Sequence, residues 1–437
     1  GNLLISKPAS KGFEKLKTNV LQSHLDMVCE KNSDIDHDFD KDPIIPVIEG
    51  DWVTAEGTTL GADDGIGIAS QMAILASDEI QHGPIECLFT VDEESGLTGA
   101  MALEKGFFEG SILLNLDSED EGELFIGCAG GIDTIAEFRY KPKNFPQDHT
   151  AVKVSVKGLK GGHSGDEIHK SPAGNSNKIL NRFLWNATSD YNIRLSHFDG
   201  GNLRNAIPRE AYATFAIPSK SLENLKNYFE EFTKVIRKEL GDKEPGISFG
   251  FEQVEKPKTV INKKAQSRLL SGIYACPHGV VKWSDNIPGL VETSTNLASV
   301  KFIKGNQIEI TTSQRSSVDS AKKDIADRVR TTFEGLKAKV RHTGGYPGWS
   351  PNPDSEIVRI TAQSYEDLFR VKPVIRAIHA GLECGLFLNK YPQLDMISFG
   401  PTIKMAHSPD ERIHIESTKK YWVLLLDVLK RIPERRD

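Results

Sequence analysis

The sequence predicts an α/β protein with a mixed sheet, interrupted by an inserted α+β domain, and three observations lead there. The first third alternates short apolar strand runs with stretches of helical period, the pattern of an α/β sheet. From Ala151 the character changes to alternating runs that fit a mostly antiparallel or mixed sheet with helices between them. Past a glycine- and proline-rich break at residues 341–353 the first pattern resumes. The order fits one discontinuous domain, residues 1–147 with 343–437, and an insert at residues 148–342.

Taken in order, residues 20–23 read as a strand ending at His24-Leu25-Asp26. Residues 65–77 put Ile68, Met72 and Leu75 on one helical face. Residues 85–91 form a strand that runs into Asp92-Glu93-Glu94-Ser95-Gly96, with a helix expected to follow through Lys105. Residues 112–116 make another short buried strand, ending at Asp117. Residues 141–150 are turn-rich, with two prolines, and mark a domain boundary. In the insert, residues 151–156, 211–217, 291–299 and 307–312 read as strands, and residues 222–239 as the clearest helix. Beyond the second break, residues 374–378 resume the α/β pattern, residues 396–399 are a strand and residues 416–432 an amphipathic helix.

Composition narrows the function. At 437 residues the chain is too long for one small core. It is 38% hydrophobic and 26% charged, ordinary for a soluble globular protein. No run of about 18 apolar residues supports a membrane span. The net charge of −7 and scattered basic residues argue against nucleic acid as a partner. Five widely spaced cysteines form no CxxC pair, so free thiols in a reducing compartment are expected. Residues 1–6 show neither the apolar core nor the cleavage site of a secretory signal. Cytoplasm is the expected location.

The chemistry lies at strand ends, where ligands gather in an open α/β sheet. His24 and Asp26 are two apart and can point to one side of an extended segment. Asp63-Asp64 lies in a glycine-flanked turn that opens a helix; Glu93-Glu94 and Asp117 each follow a strand. His407, in Met405-Ala406-His407-Ser408-Pro409-Asp410-Glu411, follows the strand that ends near Gly400. Alone, each piece has an ordinary reading. A His-x-Asp is usually a hydrogen-bonded pair, adjacent glutamates a solvated helix start, and Asp-Asp-Gly a turn. Their combination at successive strand ends points instead to a metal site. Mixed imidazole and carboxylate ligands suit Zn²⁺, with Mn²⁺ or Co²⁺ able to substitute. No Gly-x-Ser-x-Gly elbow supports a serine hydrolase.

These motifs occur in order and resemble the co-catalytic di-zinc peptidases that include carnosinases, peptidase V and peptidase T. The carrying runs are Ser-His24-Leu-Asp26, Gly-Ala-Asp63-Asp64-Gly, Asp92-Glu93-Glu94-Ser-Gly, Asp117, Gly161-Gly162-His163-Ser164-Gly165 and His407-Ser-Pro-Asp-Glu. The runs Gly200-Gly201-Asn202-Leu203-Arg204-Asn205 and His379-Ala-Gly-Leu-Glu383-Cys-Gly agree with the aminoacyl-histidine dipeptidase branch. The likeness spans nearly the whole chain.

The resemblance implies a zinc-binding catalytic domain and an inserted lid and dimerisation domain. It implies two Zn²⁺ ions: one held by His24 and Asp117, the other by Glu94 and His407, with Asp63 bridging. Asp26 would orient His24 as an outer carboxylate, and the Asp63–Asp64 peptide would be cis. Glu93 would be the general base. His163 would donate to the oxyanion, from its own subunit or, in a homodimer, from the other. Asn202 and Arg204 would hold the substrate backbone, Arg315 would grip its carboxylate, and Glu383 would line the site. The implied activity is hydrolysis of unblocked dipeptides, including Xaa-His such as carnosine. Two alternatives stay open: an amidohydrolase acting on N-acyl amino acids, and a non-catalytic peptide binder. Two departures stand out. The helix and strand that relatives carry before the His24 strand are mostly absent, so a native segment is expected ahead of Gly1. Residues 166–177 follow the family only in outline.

Overall fold

A strand covered on both faces has no polar side and reads as an unbroken apolar run. Val20, Leu21, Leu88, Leu113, Leu114 and Ile397 are of this kind and fully buried. The computed structural model describes residues 1–165, 167–170, 174–285, 287–352 and 354–435. In it these residues form the centre of a seven-stranded sheet. Its order is Leu3–Lys7, Ile85–Thr90, Asn19–His24, Ile112–Asn115, Asp395–Ser398, Glu123–Cys128, Val374–Ile378. The four strands from Ile85–Thr90 to Asp395–Ser398 run parallel. Leu3–Lys7 is antiparallel to its neighbour, and Glu123–Cys128 to Asp395–Ser398. The sheet is therefore mixed, and the carboxyl ends of its four central strands open on one edge.

A small four-stranded antiparallel sheet orders Ile403–Lys404, Arg412–His414, Trp52–Ala55 and Pro46–Glu49. It fixes both ends of the loop that carries His407. The helix expected through Lys105 is instead two short ones, Glu93–Gly96 and Thr98–Ala102, split where Leu97 turns left-handed at φ 61.

The chain divides into two units, Gly1–Cys128 with Trp349–Asp437, and Ala129–Gly348. These limits differ from the expected 147/148 and 342/343. Gly130–Arg139 pairs along its length with Gln307–Ser316 and also with Lys339–Tyr346. Hydrogen bonding thus assigns this strand to the second unit, ahead of the turn-rich stretch that drew the boundary.

Within the second unit, eight strands run in the order Ser248–Gln253, His149–Lys157, Ala211–Pro218, Arg194–Gly200, Val291–Ile303, Gln307–Ser316, Gly130–Arg139, Lys339–Tyr346, and Gly279–Trp283 adds to Val291–Ile303. All of its pairings are antiparallel. Its core holds Phe183, Phe198, Phe215 and Phe333. The helix Leu222–Leu240 buries Leu225, Phe229, Phe232, Ile236 and Leu240, the three-and-four spacing of one apolar stripe. Of the stretch 166–177, Asp166 and residues 171–173 lie outside the described residues; Asn175 caps the helix Ser176–Tyr191 by accepting from Lys178 N. All five cysteines are free, four of them buried. Among the described residues no helix is long and apolar enough to cross a membrane.

Candidate metal centre

The loops past the central strands bring the acids and imidazoles together. His24 ends Asn19–His24 and is 1% exposed. Glu93 and Glu94 open the short helix after Ile85–Thr90, and Asp117 follows Ile112–Asn115. Asp63 and Asp64 stand at the start of Ala62–Ala76, where the backbone is non-helical, and the peptide bond between them is cis.

Asp63 stands between two imidazoles. Its Oδ1 is 3.1 Å from His24 Nε2, and its Oδ2 is 3.2 Å from His407 Nε2. Asp117 Oδ1 lies 3.4 Å from His24 Nε2, and Glu94 Oε1 lies 3.0 Å from His407 Nε2. The cluster thus has two halves, His24 with Asp117 and His407 with Glu94, which share one carboxylate.

Its electrostatics show a shortage of positive charge. Burial pushes Glu93 up to about 8, and the charges of Asp117, Glu94 and Asp63 add to the shift. Burial likewise raises Asp117 to about 7, against the pull of His24. Burial opposes charge on His24, but Asp117 and Asp63 outweigh it and raise its pKa. Asp63 and Glu94 hold His407 up to about 10. Packing acids this closely without a cation forces protons onto them. Glu94 Oε1 is buried without a hydrogen-bond partner, although His407 Nε2 is close by. Atoms that approach without hydrogen-bond alignment are suited to a cation between them, and the donor set fits Zn²⁺.

Two groups have ligand atoms all within 4.8 Å of one another: His24, Asp63 and Glu94, and His24, Asp64 and Asp117. Asp64 is better described as support. It is 2% exposed, and its carboxylate accepts from His24 N at 3.3 Å and from Gly67 N at 3.2 Å. Gly67 is required there, since a Cβ would sit 2.4 Å from Asp64 Oδ1.

Asp26 differs from expectation in which atom it uses. Its backbone carbonyl lies 2.8 Å from His24 Nδ1, while its carboxylate Oδ1 is 3.7 Å away. The carboxylate accepts instead from Glu93 N and Glu94 N, each at 3.0 Å. It is drawn to the orphan donors that begin every helix.

Glu383 is fully buried, and Gln22 Nε2 and Thr90 Oγ1 each donate to its Oε2 at 2.6 Å. Gln22 Oε1 in turn accepts from Asn115 Nδ2 at 2.6 Å. The ladder ties three central strands together beside the cluster of acids and imidazoles, so the structure gives Glu383 a place in the sheet rather than on an open wall. Burial pushes its pKa up to about 8. An unfolded carboxyl loses its proton near 4.5, whereas the folded one keeps it to about 8. In the metal-free protein this group therefore lowers stability progressively as pH rises through that window. Glu383→Gln removes the slope: thermal melts should show the variant gaining on the wild type between pH 5 and pH 8. Parallel curves would contradict a protonated Glu383.

The remaining candidates lie in the second unit. Arg315 is buried; its Nη1 donates to Tyr346 Oη at 3.1 Å, and its Nη2 lies 3.4 Å from His163 Nε2. No carboxylate pairs with it among the described residues, and its Nε is buried without a partner. Arg204 is exposed and donates to Asp133 Oδ2 at 2.9 Å. Asn202 Oδ1 accepts from Lys301 Nζ at 2.7 Å. His163 and Arg315 are thus brought together, while Asn202 and Arg204 have other partners.

Comparison with known proteins places this arrangement. The profile of peptidase family M20/M25/M40 matches residues 20–431. The chain belongs to this family. The cytosol non-specific dipeptidase of Escherichia coli, a family relative, is 45% identical over 435 residues, covering 100% of this chain and 89% of its own. The crystal structure of aminoacylhistidine dipeptidase from Vibrio alginolyticus superposes with a TM-score of 0.92 at 47% identity, covering 100% of this chain and 88% of that one. An aminopeptidase of Bacillus cereus shares the fold at TM-score 0.54 and 16% identity, covering 99% and 84%. Family membership makes the protein a metal-dependent peptidase.

Proposed function

We propose that the protein is a cytoplasmic dipeptidase that uses two divalent cations, Zn²⁺ in the first place, to hydrolyse unblocked dipeptides, Xaa-His among them. The observation that carries the reading is Asp63, which faces His24 with one oxygen and His407 with the other. His24 and Asp117 would hold one ion, Glu94 and His407 the other, and Asp63 both. Such a pair of ions supplies Lewis-acid polarisation of the scissile carbonyl and acidifies the attacking water. Glu93, beside these residues, would accept the proton of the attacking water and return it to the leaving amine. Asp26 keeps Glu93 and Glu94 in place through their backbone N–H groups.

Arg315 supports a dipeptide over a longer chain. A buried guanidinium with no acid partner among the described residues is suited to a substrate carboxylate, which it can grip with two parallel hydrogen bonds. His163, beside it, would donate to the oxyanion, and Asn202 and Arg204 would hold the peptide backbone. Assembly as a homodimer through the Ala129–Gly348 unit belongs to the same reading. The names of the Escherichia coli and Vibrio alginolyticus relatives support the dipeptide substrate and, for the first, the cytosol.

The metal-loaded protein should cleave Ala-Ala and carnosine and leave N-acetyl amino acids intact, as read by chromatography of the products. Cleavage of N-acetyl amino acids with dipeptides intact would keep the metal site and overturn the substrate. Binding of dipeptides without cleavage would replace the enzyme with a peptide-binding protein.

A further inference from the structure

We infer that Glu411 is a positioning residue that locks the turn carrying Asp63 to the loop carrying His407. The segment Ala62–Ala76 begins behind Gly61, and its backbone is non-helical at Asp63 and Asp64, so regular helix starts only beyond them. Buried backbone N–H groups in such an irregular turn need partners from elsewhere. Here a carboxylate about 350 residues away in sequence satisfies them. Glu411 Oε2 accepts from Leu60 N at 2.9 Å and Gly61 N at 3.0 Å. Its Oε1 accepts from Ala62 N at 2.8 Å and Asp63 N at 3.3 Å. One side chain thus collects four consecutive backbone donors, ending on Asp63 itself.

The main chain of Glu411 is fixed as firmly. Its N–H donates to Ser408 O at 3.0 Å, closing the turn just after His407. Its carbonyl accepts from Thr54 Oγ1 at 3.0 Å, anchoring that turn to the small sheet. His407 lies in this loop with a left-handed φ of 64. Glu411 is 2% exposed, so it does not meet substrate. It sets the spacing between the shared carboxylate and the imidazole that faces it.

This inference rests on the reading of Asp63 and His407 as metal ligands. Glu411→Gln keeps the shape but offers one oxygen, and turns an amide NH₂ toward two of the four donors. The test is the affinity of metal-free protein for Zn²⁺, by competition with a chromophoric chelator, at a temperature where circular dichroism shows the variant folded. Glu411→Gln should bind about 10–100-fold more weakly, the usual loss on removing a group that orients a ligand. His407→Ala, run alongside, should weaken binding further. Wild-type affinity in Glu411→Gln with loss in His407→Ala would overturn the positioning role. A metal-free Glu411→Gln that no longer folds would overturn it in favour of a structural role. Wild-type affinity in His407→Ala would overturn the metal-site reading and this inference with it.

Discussion

Glu93→Ala should lower kcat by about 10²–10⁴-fold, the usual contribution of a positioned general base, while metal content and fold persist. The side chain is not needed to build the cluster. The two halves of the centre are made by His24, Asp117, Asp63, Glu94 and His407. Glu93 is beside them, half-buried, with its backbone N–H held by Asp26. In the metal-free protein, burial and three neighbouring acids keep its pKa at about 8. Cations at the cluster work in the opposite sense and favour its ionised form, leaving a carboxylate ready to accept a proton at neutral pH. Rates of dipeptide cleavage and metal analysis of the same sample decide the matter. A fully metal-loaded Glu93→Ala with wild-type kcat would remove Glu93 from the base role.

Asp63→Ala should be more severe, because it removes the carboxylate that faces both imidazoles and is proposed to hold both ions. Altering only a group behind a ligand costs about 10–100-fold in affinity or activity, and loss of the shared ligand should exceed that. His24 would still face Asp117, and His407 would still face Glu94. The metal-free variant should therefore fold, with a melting curve close to that of metal-free wild type. Zn²⁺ binding by Asp63→Ala at wild-type affinity and stoichiometry would show that the carboxylate is not shared.

Much of this centre was legible in the sequence because it obeys a local rule. Three of its parts stand at or just past the end of a buried strand: His24 at the end of residues 19–24, Glu93 and Glu94 after residues 85–90, and Asp117 after residues 112–115. The mixed α/β sheet was legible from the same runs. What was not legible depends on long-range pairing. Gly130–Arg139 looks like any half-buried strand, and only its hydrogen bonds to Gln307–Ser316 show to which sheet it belongs. The split at Leu97 rests on one left-handed residue inside an otherwise helical stretch.

The supporting acids were hidden for the same reason. Glu411 stood in the motif around His407, but its partners at residues 60–63 are reached only in the fold. Glu383 drew notice as a site residue, and its actual neighbours, Gln22 and Thr90, are polar residues inside strands that sequence patterning treats as apolar. Asp64 was read through its peptide bond, while its carboxylate holds the backbone of His24 and Gly67. In each case a buried carboxylate serves backbone, amide or hydroxyl donors, and nothing local in sequence announces that use.

The cluster around Asp63 is proposed to be a two-metal hydrolytic centre. Its most direct test is dipeptide hydrolysis by metal-stripped protein titrated with Zn²⁺. The stripped protein should show no cleavage, and recovery should saturate at two equivalents of metal per chain. Cleavage that persists after complete stripping, or that saturates at one equivalent, would contradict it.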